Sequence, residues 1–281
     1  MIKKRNRRIL NSNRFLFLSL TILIKEKLII SMIPTAYFAV ILLSFLSVFT
    51  TVIGVILAIV FKKGVKGISF GIGFSAGIML LISFFELVPE SLVSIGVQET
   101  LASLLLGIFF VGVLNFIIPH MHLIKEKGEF DNNLLKTAYL VAFGLILHDF
   151  PEGFAMANSY IFSPSLGLLI ALAIAIHNIP EEFAMAIPIV LTKKKKGFLL
   201  KIAFLSSIAE PIGAVLGLVA VGLVPSLNSF FMSFAAGAMI FVSIHELFPM
   251  AKRYKKIIFF VLGLVLSVFV YLGLAVLVPE L

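Results

Sequence analysis

Two short stretches pair an imidazole with a carboxylate at helical spacing: His148-Asp149-Phe150-Pro151-Glu152 and His177-Asn178-Ile179-Pro180-Glu181. Residues four apart share one face of an α-helix, about 6 Å apart along its axis. Each segment therefore aims a nitrogen lone pair and an anionic oxygen at one point. That donor set suits a divalent zinc, iron(II), manganese or cobalt ion. The chain has no cysteine, so thiolate sites and disulfides are excluded and any metal must be held by nitrogen and oxygen. Asp149, Asn178 and Glu182 flank the two pairs, and Glu210 in Ala209-Glu210-Pro211 adds another carboxylate.

The elements that position these groups are apolar. Hydrophobic residues make up 60% of the 281 and charged residues 13%, which excludes an ordinary soluble domain. A helix needs about 20 apolar residues to cross the hydrocarbon core of a bilayer. Eight runs of that length fall at 36–61, 68–92, 100–119, 136–158, 166–191, 198–224, 229–250 and 254–279. The expected fold class is all-α, a polytopic membrane helix bundle embedded in the lipid bilayer.

Counted from the span ends, both histidines lie roughly 17 Å in, near the bilayer centre, with Glu210 at similar depth. An ionised side chain there costs at least about 3 kcal/mol. Apart from Lys136, Lys201, Lys255 and Lys256 at span ends, the spans contain no Lys or Arg, so none lies at membrane depth to pair with Asp149, Glu152, Glu181, Glu182 and Glu210. A divalent cation is the economical partner. Pro151 and Pro180 each remove a backbone donor and free a carbonyl one turn earlier, near Leu147 and Ile176, which gives further oxygen ligands or a local bend.

The net charge of +9 does not indicate a nucleic-acid partner, because the basic residues lie in the N-terminal tail or in alternate connections. From Pro34 onward they are Lys62, Lys63 and Lys66, then Lys125, Lys127 and Lys136, then Lys193 to Lys196 with Lys201, then Lys252, Arg253, Lys255 and Lys256. The intervening connections near 93–99, 159–165 and 225–228 carry none. The positive-inside rule predicts cytoplasmic basic loops in a plasma or inner membrane, with the C-terminus outside. Residues 1–33 form a basic extension ahead of a transmembrane domain at 34–281. Its short apolar run Phe15–Ile24 is interrupted by Lys25, Glu26 and Lys27, and it reads as an extra first helix, a signal-like segment, or a stretch before a true start at Met32.

The chain repeats itself. Residues 74–89 lie over 234–249 without a gap, with Phe, Ala, Gly, Met, Ser, Glu, Leu and Pro coinciding. Loop charges make the two copies antiparallel, the mark of an inverted repeat, and the two His-x-x-Pro-Glu segments form a second antiparallel pair. Glu86 falls near the outer end of its span and His245 with Glu246 near the inner end of theirs, the positions of entrance and exit ligands.

Enzymatic readings fare poorly. A metalloprotease helix needs His-Glu-x-x-His, and the nearest match, His245-Glu246-Leu247-Phe248-Pro249, ends in proline. A di-iron oxidase needs more histidines than the spans hold. The runner-up is a proton- or sodium-coupled transporter of a non-metal substrate, because buried carboxylates also carry protons.

At these residues the chain resembles the ZIP (ZRT/IRT-like) family of divalent metal transporters, most closely its prokaryotic zinc-transporter branch. The family pattern His-Asn-x-Pro-Glu-Gly reads here as His148-Asp149-Phe150-Pro151-Glu152-Gly153 and His177-Asn178-Ile179-Pro180-Glu181-Glu182. The resemblance runs from Pro34 onward. It implies eight spans in an inverted three-plus-two-plus-three plan, no enzyme activity and no prosthetic group. It further implies inward transport of zinc, with iron, manganese, cobalt or cadmium as other cargo, by a chain that acts alone or as a homodimer. By position, His148, Glu152, His177 and Glu181 would hold one metal, and Asp149, Asn178 and Glu210 a second, with Glu152 and Glu181 bridging. Asp149 in place of the usual Asn, and Glu182 in place of a frequent Gly, both add negative charge.

Overall fold

The computed structural model describes residues 35–61, 64–117, 134–190 and 196–279. The extension 1–33, the loop histidines His120 and His122, and Lys193 to Lys195 lie outside the described residues. The chain divides into two compact units, Met1–Ala39 and Val40–Leu281, and the candidate site belongs to the second.

The described elements are helical. They are α1 (Thr35–Phe61), α2 (Val65–Ile82), a π-turn Ser83–Leu87, α3 (Val88–Ile117), α4 (Leu134–Phe162), α5 (Pro164–Val190), α6 (Lys196–Ser207), α7 (Ala209–Leu223), a 3-10 turn Pro225–Leu227, α8 (Asn228–Val242), a second π-turn Ser243–Leu247, α9 (Phe248–Arg253) and α10 (Ile257–Leu277). Among the described residues, five helices are long and apolar enough to cross a membrane: Thr35–Phe61, Val65–Ile117, Pro164–Ala184, Pro225–Arg253 and Ile257–Leu277. Large apolar side chains such as Phe38, Phe49, Phe109, Phe116, Phe269 and Val276 point outward, while serines, carboxylates and imidazoles are buried. That inverted distribution is stable only where the surroundings are lipid. The protein is a multi-pass membrane helix bundle.

The apolar runs become helices with three local departures. Val65 to Ile117 is nearly continuous, broken by Gly96, whose φ of 82° and ψ of 174° separate two limbs. The run 198–224 is interrupted at Ile208, because Pro211 has no N–H for the Ser207 carbonyl. The two halves of the sequence repeat each contain a π-turn, at positions that the alignment superposes. In both, a serine hydroxyl donates one turn back, Ser83 to the Met79 carbonyl at 2.7 Å and Ser243 to the Met239 carbonyl at 2.8 Å. The Val88 and Phe248 amides then reach back five residues, to the Ser83 and Ser243 carbonyls. Proline follows in each copy, Pro89 and Pro249, and supplies no amide to restore the α-helical ladder.

Helices pack through small residues, as membrane helices must when lipid offers no hydrophobic drive between them. α4 and α7 meet through two glycines: a Cβ on Gly153 would strike the Glu210 carbonyl, and one on Gly213 the Phe150 carbonyl. α3 and α8 meet the same way at Gly107 and Gly237, and Ser91 adds a hydrogen bond to the Ser229 carbonyl at 2.9 Å. The α4–α7 approach carries Glu210 against the turn that bears Glu152. Gly213→Ala is expected to destabilise the detergent-solubilised protein by about 1–3 kcal/mol, the usual range for overpacking, read as a lower unfolding midpoint. Gly273→Ala, where a Cβ meets nothing within 4 Å, should leave the midpoint unchanged.

Candidate metal centre

α4 and α5 pack against each other, α2 lies on α5, and α7 lies on α4. Both α4 and α5 continue through Pro151 and Pro180, so each His-x-x-x-Glu pair keeps its helical spacing. Asp149, Glu152, Glu181, Glu182 and Glu210 are all at most 5% exposed, and His148 and His177 are fully buried. Asp149 lies within electrostatic reach of the other four carboxylates. No Lys or Arg is found among the buried residues described.

The tightest cluster is Glu152 from α4 with His177 and Glu181 from α5, whose ligand atoms all lie within 4.8 Å of one another. His177 Nδ1 sits 2.9 Å from the Ala173 carbonyl. A carbonyl can only accept, so Nδ1 donates to it, and Nε2 is the ring atom turned toward the carboxylates. Nε2 lies within hydrogen-bond reach of Glu152 Oε1, at 3.2 Å, and 3.7 Å from Glu181 Oε2. With Nε2 unprotonated, one imidazole lone pair and two carboxylate oxygens converge, a set that could hold a metal ion. Ligands bound tetrahedrally to zinc at about 2.0–2.1 Å stand roughly 3.4 Å from one another. The two distances from Nε2, 3.2 and 3.7 Å, fall on either side of that edge. Ser75 on α2 donates its hydroxyl to Glu181 Oε2, and Glu181 Oε1 and Glu152 Oε2 are buried without a hydrogen-bond partner.

A second group lies alongside. Asn178 Nδ2 donates to Ser47 Oγ of α1 and, at 3.4 Å, to Glu210 Oε2 of α7. Asp149 and Glu182 are buried in the same region, with Asp149 Oδ2 unsatisfied. His148, which the resemblance implies as a ligand with Glu152, His177 and Glu181, directs Nε2 at Glu246 Oε2, 3.6 Å away on the second π-turn. The structure therefore joins Glu246, expected near an exit, to the buried histidine of α4.

The remaining expected ligands stand apart from this group. His245 is exposed and stacks on Phe241, with ring centroids 4.8 Å apart. Glu86, on the first π-turn, accepts a hydrogen bond from the Tyr271 hydroxyl. With Glu90, Ser163 and Ser165 it lines a cavity of about 320 Å³. Sequence reasoning missed Ser47, Ser75 and Tyr271. Ser47 had one readable signal, its place with Ser44, Thr51 and Gly54 at helical spacing in an otherwise apolar run.

Zinc binding by the purified protein tests this geometry. Loss of one ligand should weaken binding more than about tenfold, the lower end of what even outer partners of a metal site contribute. His177→Ala and Glu152→Gln are expected to do so in equilibrium dialysis. Glu99→Gln, at an exposed carboxylate on α3, is expected to leave binding unchanged.

Comparison with known proteins agrees with this chemistry. The family model described as ZIP Zinc transporter matches residues 119–278. The zinc transporter ZupT of Corynebacterium aurimucosum is 37% identical over 77% of this chain and 87% of its own length. The zinc transporter ZupT of Chlorobium limicola is 34% identical over 82% of this chain and 94% of its own. That of Escherichia fergusonii is 35% identical over 75% and 86% respectively. On the doubled His-x-x-Pro-Glu motif, the buried cluster it forms and these matches, the chain belongs to the ZIP zinc transporter family.

Proposed function

We propose that this protein carries divalent transition-metal ions across a cell membrane toward the cytoplasm, with zinc as the first cargo and iron, manganese, cobalt and cadmium as weaker ones. The observation that carries the reading is the convergence of His177 Nε2 with the carboxylates of Glu152 and Glu181 at 3.2 and 3.7 Å. A lone pair and two carboxylates face one point in a region without basic side chains, and a divalent cation is what that point accepts. The relatives' printed role, zinc transport, supports the same cargo.

The chemistry of passage is exchange of hydration for protein ligands. A hydrated ion gives up water where the carboxylates and the imidazole replace it, and its charge makes their burial tolerable. Glu86 and Glu90, at the cavity beside Tyr271, offer a first carboxylate contact on the outer side. Glu152, His177 and Glu181 form the central stage, with Asp149, Asn178, Glu182 and Glu210 as a second ligand group beside it. His148 with Glu246, and His245 beyond, lead to the inner side. Eight spans in an inverted three-plus-two-plus-three plan, with residues 1–33 as an extension to the domain at 34–281, complete the reading. The matched π-turns in the two repeat halves support that plan.

Uptake of zinc, iron(II), manganese and cadmium into proteoliposomes tests the function directly. Wild-type protein should accumulate zinc fastest, and the His177→Ala, Glu181→Ala double variant should fall to the rate of empty vesicles. Absence of uptake of any divalent ion by folded, inserted protein would favour the proton- or sodium-coupled alternative. Orientation is testable because the chain has no native cysteine. In intact cells, an impermeant thiol reagent should label Ser226→Cys and Pro279→Cys and leave Lys255→Cys unlabelled.

A further inference from the structure

Ser47 occupies the buried face of α1, in line with Ser44, Thr51 and Gly54. Gly54 lets α1 close onto α5: a Cβ there would stand 2.8 Å from Glu182 Cβ. Two turns earlier on the same face, that approach carries Ser47 to the functional groups of α5 and α7. Its hydroxyl accepts a hydrogen bond from Asn178 Nδ2 and also bonds to the Glu210 carboxylate.

The direction of this chain is fixed by chemistry. An ionised carboxylate only accepts and a serine has one proton, so with Glu210 ionised Ser47 donates to Glu210 and accepts from the amide. The same logic orients Asn178, whose oxygen would be repelled by Glu210, so its nitrogen faces Ser47 and Glu210. The amide Oδ1 is the atom left to face a cation. A single hydroxyl thereby sets the orientation of an amide on one helix and a carboxylate on another.

We propose that Ser47 is a positioning residue for metal passage, holding Asn178 and Glu210 in the orientation in which their oxygens meet the ion. The proposal rests on the reading of Asn178 and Glu210 as metal ligands. It gives α1, which contributes none of the expected metal-binding residues, a direct part in the site. Ser44 provides the contrast on the same face, because its hydroxyl, among the described residues, bonds locally, to the Ile41 carbonyl at 2.8 Å.

The test is zinc uptake by reconstituted wild type and by Ser47→Ala, Ser47→Thr and Ser44→Ala, resolved into KM and maximal rate. Loss of an outer partner of a metal site costs about 10–100-fold in affinity. Ser47→Ala should therefore raise KM by at least about tenfold with a maximal rate within about twofold of wild type. Ser47→Thr, which keeps the hydroxyl, should restore KM, and Ser44→Ala should leave it unchanged. Zinc dissociation constants complete a double-mutant cycle in which Ser47→Ala costs less in a Glu210→Ala background than in wild type. Should Ser47→Ala not give monodisperse protein, Ser47→Cys, with a weak donor of similar size, is read by the same two measurements. An unchanged KM, a loss that threonine does not restore, an equal loss in Ser44→Ala, or additivity with Glu210→Ala would overturn the role of Ser47. Wild type that takes up no zinc would instead remove the functional reading beneath it.

Discussion

Five carboxylates and two imidazoles are held out of water in one region of the bundle, and among the described residues no basic side chain is buried with them. In lipid each ionised group costs at least about 3 kcal/mol on the most lenient scale. Neighbouring like charges add to that cost. The arrangement is tolerable when a cation stands among the acceptors or when they take up protons. The donor set suits the first of these occupants: a histidine that donates Nδ1–H to the Ala173 carbonyl has Nε2 to offer beside two carboxylates, a set that could hold a metal ion.

Much of the surrounding structure serves to hold those acceptors together. Gly153 and Gly213 bring the backbones of α4 and α7 close enough for Glu210 to lie against the turn of Glu152. Gly54 does the same for α1 and α5, and Ser75 ties α2 to Glu181. Small residues serve two purposes here. They supply the close packing on which helix association in lipid depends, and they set the spacing of the charged groups. The two π-turns add a further device, since each widens one turn of helix just where an acidic side chain, Glu86 or Glu246, leaves the backbone. Glu246 then reaches His148 and Glu86 meets Tyr271.

The membrane-bundle class and the chemistry of the centre were legible in the sequence, for definite physical reasons. Apolar length reports membrane crossing, and two His-x-x-x-Glu pairs in apolar helices have no common structural cause. Glu152, His177 and Glu181 meet across α4 and α5, three of the four residues that the family resemblance places together. The pairing of His148 with Glu246 was not legible, because helix spacing relates residues within a helix and says nothing of rotation between helices. The π-turns were hidden for a similar reason. Serine and proline recur throughout apolar spans, and only the identical spacing Ser83 to Pro89 and Ser243 to Pro249 marks them in retrospect. Ser47 and Ser75 carry the faintest signal of all, since a hydroxyl in a membrane helix usually bonds its own backbone, as Ser44 does.

Zinc K-edge X-ray absorption on the zinc-loaded protein, wild type beside His177→Gln, examines the converging acceptors most directly. The account predicts a first shell of nitrogen and oxygen at about 2.0–2.2 Å, with imidazole scattering in wild type that diminishes in the variant. A fully hydrated, six-oxygen shell that is the same in both proteins would contradict it.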